Sequence, residues 1–250
     1  MGRLLNRNDM NLELDDWQKH AFLMFHSKIA DKERKFPCIP AIQGYVLDQL
    51  RYGFVADPRT EDAIKETAYF LKEYGQCSKD IGEYSALILF YKTPYDLQIL
   101  TTVKLFEQIF WNLLNKVSTL DTKEWPKSVS PDPSHFSWEF CFEGERYFIY
   151  CATPAHEHRY SRYFPYFMLA ITPRWVLNHF FTTNQASGKI TEVIRERLVK
   201  YDKMQPHPDL KWYGQEDNHE WKQYFLRDDN TGMSSCPFHY RPGKGRNEQY

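Results

Sequence analysis

The chain has 250 residues, 42% of them hydrophobic and 26% charged, with a formal net charge of −1. That composition belongs to a globular chain long enough for one sizeable core, and a near-neutral balance gives no reason to expect nucleic acid as a partner. Five cysteines, odd in number and without a CxxC pair, argue against a disulfide framework or a zinc ribbon. No apolar run has the length of a membrane span and no secretory signal opens the chain, so no membrane partner is expected and the cytosol is the expected compartment. Aromatic residues, 7 Trp, 17 Tyr and 18 Phe, make up 17% of the chain. They suit either a densely packed core or a flat apolar ligand site.

Residues 1–11 are polar and read as a loose tail. Asp15 or Asp16 can cap a helix to about Ala30 that places Trp17, Ala21, Met24, Phe25 and Lys28 on one face; His20 and His26 on it read as surface histidines. In Lys35-Phe36-Pro37-Cys38-Ile39-Pro40-Ala41 two prolines exclude a helix interior and favour an extended, buried entry, with Cys38 as a small core residue. A short helix around Gln43–Leu50 and a strand at Leu50–Val55 follow. Thr60 caps the next helix with Glu61 and Asp62 in its first turn. Its apolar face runs Ala63, Ile64, Thr67, Phe70, Leu71 and Tyr74, and Gly75 reads as the stop.

Ser85–Tyr91 is a continuous apolar run of strand length and reads as a central strand. Thr93-Pro94 opens a helix to about Val117, the longest expected, with Leu100, Val103, Phe106, Phe110, Leu113, Leu114 and Val117 inward. Three prolines make Thr119–Ser134 a loop. Phe136, Trp138, Phe140 and Phe142 alternate with Ser137, Glu139 and Cys141, a period of two. Glu143-Gly144 can turn this strand into Arg146–Ala152 as a hairpin. Tyr166–Thr172 is a further strand, Pro173 starts a helix over Arg174–Phe181, and Ile190–Lys200 forms another. Residues 241–250 are rich in glycine and charge and read as a second loose tail. There is no repeat and no domain linker. The element order does not alternate as in a doubly wound fold, and no glycine-rich loop follows a strand. The expectation is one α+β domain, a mainly antiparallel sheet with helices covering one face.

Between two strands lies Thr153-Pro154-Ala155-His156-Glu157-His158-Arg159-Tyr160-Ser161-Arg162. Polar residues hung between apolar strands are where folds commonly place chemistry. His156 and His158 point the same way in an extended segment, so both could ligate one non-haem iron, with Glu139 or Glu157 completing a facial triad. An ordinary polar loop is the alternative. Haem asks for one axial ligand, a flat apolar slot and cations for its propionates. His156 could supply the ligand, neighbouring aromatics the slot, and Arg159, Arg162 and Arg174 the cations. Cys236, before Pro237, is the competing axial ligand as a thiolate. No G-x-S-x-G elbow exists for a serine hydrolase.

The succession Phe36-Pro37-Cys38, Arg51-Tyr52-Gly53-Phe54, Thr153-Pro154-Ala155-His156, Ser161-Arg162, Pro173-Arg174, His207-Pro208, Trp212-Tyr213-Gly214, Glu220-Trp221-Lys222-Gln223-Tyr224 and Cys236-Pro237-Phe238 resembles the YqcI/YcgG family across residues 36 to 239. The resemblance implies haem b and a haem-dependent enzyme that uses O2 to N-hydroxylate a guanidino group, notably that of arginine. It implies His156 as axial ligand, with Arg159 and Arg162 as propionate partners and Cys236 or His207 as alternatives. Glu139, Glu220 and Trp138 are the candidates to hold a guanidinium. Electrons would come from a separate donor, since no flavin or nicotinamide site is visible. A haem-binding protein without turnover is a further alternative.

Overall fold

The computed structural model describes residues 2–11, 13–184, 190–211 and 216–239. Trp212-Tyr213-Gly214 and the tail 241–250 lie outside them. Five strands form one sheet: β1 (Leu50–Val55), β2 (Ala86–Tyr91), β3 (Phe140–Phe142), β4 (Glu145–Ala152) and β5 (Met168–Pro173). Their order is β1-β2-β5-β4-β3, with β1 and β2 parallel and every other pair antiparallel. The fold is α+β, as expected. The parallel pair is joined through the helix α3 (Glu61–Ile81), the kind of crossover that parallel neighbours require.

Helices cover both faces of the sheet rather than one. The sheet's alternation decides which residue goes where. Leu87, Leu89, Tyr147, Ile149, Leu169 and Ile171 face a core completed by α3 and by α5 (Val103–Ser118). Ile88, Phe90, Ala152 and Met168 face the opposite core, where Ala21, Phe25 and Ile29 of α1 (Asp16–Ala30) pack beside Tyr45 of α2 (Ile39–Val46). Large apolar residues on both faces of β2, Leu87 and Leu89 on one and Ile88 and Phe90 on the other, are what a central strand needs.

Four local expectations change. The segment before α1 is not a loose tail: Leu5 exchanges two backbone hydrogen bonds with Tyr52 of β1, at 2.9 and 2.8 Å, and is buried in the core on the α1/α2 side. α3 runs through Gly75 to Ile81 because Tyr74 and Ser78 continue its buried stripe, and one interior glycine costs only about 1 kcal/mol. The helix expected from Pro94 to Val117 is two, α4 (Tyr95–Leu100) and α5, broken at an extended Thr101. The Thr102 hydroxyl accepts from the Leu105 amide at 3.2 Å, so this residue serves as a cap instead of continuing a helix. Leu100, expected inward, is exposed as a result. The first hairpin strand keeps only Phe140–Phe142, since the Trp138 amide donates to the His135 carbonyl at 3.0 Å in a turn. The hairpin turn is Glu143-Gly144, with φ of 52° and 78°, the positive values a two-residue turn uses.

Three further helices complete the described chain: α6 (Arg174–Asn184), α7 (Ile190–Asp202) and α8 (Trp221–Tyr224). α8 packs against β4 of the hairpin. Tyr224 ties it there, its hydroxyl donating to the Tyr147 carbonyl at 2.9 Å and accepting from the Phe140 amide at 3.1 Å.

α2 sits unusually close to the chain entering β2. A Cβ on Gly44 would stand 2.4 Å from the Tyr84 carbonyl oxygen, a backbone atom that cannot rotate away. Gly44→Ala is therefore expected to cost roughly 1–3 kcal/mol, as overpacking does. Urea denaturation measures it, and unchanged stability would mean that α2 can lift off without loss.

Candidate functional site

The Thr153–Arg162 segment is held down through His156, Arg159, Ser161 and Arg162. His156 is 2% exposed, and both its ring nitrogens are taken. Nε2 lies 2.8 Å from the Leu226 carbonyl and Nδ1 lies 2.8 Å from the Thr153 hydroxyl. A carbonyl only accepts, so Nε2 carries the proton and Nδ1 accepts from Thr153. Burial then holds the ring neutral, bringing its pKa down to about 4. Neither nitrogen faces a cavity.

The rest of the segment is tied to the chain around 228. The Asp228 carboxylate accepts from the amides of Glu157, His158 and Arg159 at 2.7, 3.2 and 2.9 Å. Burial would raise this carboxyl, and the three amides outweigh burial and hold it below the usual range. His158 is exposed, with Nδ1 3.5 Å from Asp228. Arg159 donates to the Arg227 and Gln205 carbonyls and to Asn230. Arg162 donates to the carbonyls of Cys151, Gln223 and Tyr224 and stacks 4.3 Å from the Tyr150 ring centroid. Among the described residues no three of His, Cys, Asp and Glu converge as a metal site, so His156 and His158 do not form the facial triad considered from sequence.

The third arginine is held differently. Arg174, at the start of α6, donates through Nε to Glu139 at 2.6 Å and through Nη2 to Glu220. Arg146 stands 3.6 Å from the other Glu139 oxygen. Burial would lower the Arg174 guanidinium, and the two carboxylates outweigh it and raise its pKa. Glu220 is 3% exposed, and burial pushes its carboxyl up to about 7 against the pull of Arg174. Its Oε2 accepts no hydrogen bond within the described residues.

Glu220 and Arg174 both line a cavity of about 440 Å3 on the α1/α2 side of the sheet. That volume is ordinary for a small-molecule site, where about 300–1,000 Å3 is usual. Its floor is Ile88 of β2, Phe148 and Tyr150 of β4, and Met168, Ala170 and Thr172 of β5. Phe148, Tyr150, Ala170 and Thr172 are only half-buried, while the residues between them, Ile149, Cys151 and Ile171, are fully buried on the other face. Phe25 and Ile29 of α1, Pro40 and Ala41 of α2, and Val176 and Phe181 of α6 close the cavity from above. Small Ala86 and Ala170 leave room between the layers.

Ser85, Thr172, Asn178 and Gln223 share this wall with two lysines. Lys28 donates to the Tyr160 and Tyr163 carbonyls at 2.8 and 2.7 Å, and burial brings its pKa down to about 7. Lys211 pairs with Asp217 at 2.6 Å. Cys38, expected as a small core residue, is exposed and lines the cavity too. Of the residues proposed from sequence, Glu220 and Arg174 thus meet at one cavity. Glu139 stands behind Arg174, fully buried, and Trp138 packs against Trp125 and Phe238. His207 is buried, with Nδ1 accepting from the Asp209 amide at 3.1 Å. Cys236 lies in a separate, open groove of about 630 Å3 beside Trp221 and Phe238, its thiol pushed up to about 12 by burial. Sequence reasoning gave Lys28 and Cys38 only packing roles and did not single out Tyr150. Only the alternation of Phe148 and Tyr150 could have placed two aromatics on one sheet face.

An α+β fold with a buried carboxylate on the wall of an apolar cavity has the layout of a small-molecule site. The chain belongs to the YqcI/YcgG family, whose model matches residues 25–239. It is 46% identical over 228 residues to YcgG of Bacillus subtilis (strain 168), covering 91% of this chain and 90% of that protein. To YqcI of the same organism it is 47% identical over 225 residues, 90% and 89% of the two chains. Neither name carries a function. It is also 28% identical over 245 residues, 95% of this chain and 90% of the other, to DcsA of Streptomyces lavendulae, to which N(omega)-hydroxy-L-arginine synthase activity is provisionally attributed. No solved structure matches.

Two measurements follow from this geometry. The unfolded imidazole titrates near 6.5 and the native ring near 4, so between these values the unfolded chain binds more protons. The stability contributed by His156 is full above about pH 6.5 and is lost as pH falls toward 4. In His156→Asn the slope of unfolding free energy against pH is expected to flatten across that window, and an unchanged slope would contradict a neutral buried ring. Arg174→Met strands two buried carboxylates and is expected to cost about 3–5 kcal/mol by thermal or urea unfolding.

Proposed function

We propose that this protein is a haem-dependent monooxygenase that N-hydroxylates a guanidino or amine group of a small molecule such as arginine, and that the sheet-face cavity is its site. The observation that carries this reading is a 3%-exposed carboxylate, Glu220, held through one oxygen by Arg174 on the wall of a cavity whose floor and roof are largely apolar. Family membership and the activity attributed to DcsA support the guanidino substrate class.

The residues present fit haem in this cavity better than at the His/Arg segment. At that segment His156 has no lone pair to give, and Arg159 and Arg162 spend their donors on carbonyls. The cavity offers a flat floor of Ile88, Phe148, Tyr150 and Ala170, an apolar roof and one thiol, while its two lysines are themselves engaged, Lys28 by the Tyr160 and Tyr163 carbonyls and Lys211 by Asp217. Bound there, haem supplies the activation of O2: one oxygen atom enters the N–H bond and the other leaves as water, with two electrons and two protons from a separate donor.

The chain's own residues do the positioning. Glu220 Oε2 accepts an N–H of the guanidinium, a charge-assisted bond strengthened by the apolar surroundings. Arg174 fixes the other oxygen and so the plane of the carboxylate. With its pKa near 7, Glu220 can also take or return a proton at Oε2 as the substrate nitrogen changes charge. The walls exclude bulk water from the reacting nitrogen.

The test is expression with a haem precursor, followed by turnover of arginine and simpler guanidino compounds under O2 with a chemical or protein reductant. A hydroxyguanidine product detected by mass spectrometry is the expected result. Glu220→Gln is expected to raise KM for cationic substrates at least about tenfold, the scale of one lost charge-assisted bond. A colourless folded protein after haem reconstitution would overturn the cofactor. A haem-loaded protein that turns over no guanidine or amine would overturn the reaction.

A further inference from the structure

We propose that Glu139 and Arg146 are positioning residues that set the charge of the cavity carboxylate Glu220 through the Arg174 guanidinium, with Arg146 as the end that water reaches. The inference rests on the reading above, which places Glu220 against the substrate nitrogen, and it names two residues outside the cavity that govern that carboxylate.

Four charged side chains of alternating sign run from the cavity wall to the surface. Glu220, just before α8, accepts from Arg174 Nη2 through Oε1. Arg174 turns Nε to Glu139 Oε2 at 2.6 Å, and Glu139 Oε1 stands 3.6 Å from Arg146 Nη1. The sheet brings them together. Cys141 of β3 pairs with Arg146 of β4, and Tyr147 of β4 pairs with Pro173 of β5. The start of β4 therefore lies between Glu139 on one side and Arg174 on the other. Strand residues two apart share a face, which puts Arg146 on the same face as Phe148 of the cavity floor. Of the four, Glu220 and Arg174 line the cavity, Glu139 is fully buried behind them, and the Arg146 side chain is 34% exposed.

The charges do not balance inside. Among the described residues the buried part of this row holds two carboxylates and one guanidinium. The fourth charge, on Arg146, is screened where water reaches it. A buried site with excess negative charge takes up either a proton or a cation. Glu139 is braced by two guanidinium groups and Glu220 by one, so the proton goes to Glu220. Burial pushes the Glu220 carboxyl up and the like charge of Glu139 adds to it, while Arg174 and, more weakly, Arg146 pull it down. The other polar groups nearby are engaged elsewhere. Lys211 pairs with Asp217, Lys28 with two carbonyls, and the Tyr224 hydroxyl with the backbone of Tyr147 and Phe140.

A guanidinium entering the cavity supplies the missing cation, so its binding to protonated Glu220 expels the proton. Glu139 favours holding that proton and Arg146 favours releasing it. Neither touches the ligand.

The test follows the carbonyl stretch of the protonated Glu220 carboxyl by infrared difference spectroscopy of the full-length protein, titrated from about pH 5 to about pH 9. Glu220→Gln lacks the band and so assigns it. Glu139→Gln is expected to lower the midpoint and Arg146→Gln to raise it, each by about half a pH unit or more, roughly threefold in the ionised fraction. Arg146→Lys is expected to bring the midpoint back toward wild type. Opposite shifts are the mark of charge coupling, whereas a merely loosened site moves both variants the same way. Shifts of one sign, no shift in either variant, or a wild type without the band overturns the proposal. Should Glu139→Gln fail to fold, the half-buried Arg146 position decides alone: a raised midpoint restored by lysine supports the proposal, and an unmoved one overturns it. The titration needs neither haem nor turnover. A colourless protein that shows both shifts overturns the cofactor reading and leaves the charge relay standing. A haem-loaded hydroxylase whose Glu220 midpoint ignores Glu139 and Arg146 overturns this inference alone.

Discussion

A five-stranded sheet with two apolar faces must cover both, and this one covers only the α3/α5 side completely. On that side Tyr147, Ile149, Cys151, Leu169 and Ile171 are sealed in. On the other, α1, α2 and α6 stand off, and Phe148, Tyr150 and Ala170 remain partly open over the middle of the sheet. Apolar area left facing water is stabilisation forgone, at about 25 cal/mol per Å2. Whatever fills the gap recovers it, so cofactor or substrate binding and fold stability are coupled through one surface. The position of Glu220, the single thiol and the framing lysines matter because they lie around that gap.

The buried arginines serve a different purpose. Arg159 and Arg162 look like anion holders in sequence, yet they are used as hydrogen-bond donors to carbonyls that no sheet or helix partner reaches. Five N–H groups on a rigid plane let one side chain satisfy several such oxygens at once. Arg174 instead separates two carboxylates that would repel each other if left together. All three maintain the backbone geometry around the cavity; only Arg174 touches it.

Much of the scaffold was legible because its signals are local. The unbroken apolar run of β2, the Glu143-Gly144 turn and the Thr60 cap each determine their own neighbourhood, and the structure has all three. The break between α4 and α5 was missed because a threonine pair is compatible with both continuing and capping a helix, and the choice depends on what Leu100 would pack against. Covering on both faces was missed because half-buried strand positions read as amphipathic alternation whether water or a cavity lies over them. For the site, Glu220 and Arg174 were legible as charged residues among apolar ones. His156 misled, since a histidine between strands carries no mark of whether its nitrogens are already spent. Cys38 was visible in the sequence, but the strand face it overlooks is made by residues about 50 and 110–130 positions later.

The ties from Thr153–Arg162 to Leu226 and Asp228, and from the hairpin to Tyr224, have a consequence for the order of events during synthesis. The loop between β4 and β5 cannot settle until a segment some 70 residues downstream has left the ribosome. Until then the nascent chain holds a hairpin with unsatisfied carbonyls and an arginine without acceptors, contacts of long sequence separation that close slowly. The stretch around residues 224–228 therefore acts as a clasp that fastens only after it has emerged. A ribosome stalled shortly before residue 220 would leave behind a chain with all five strands and no clasp to hold the loop between β4 and β5.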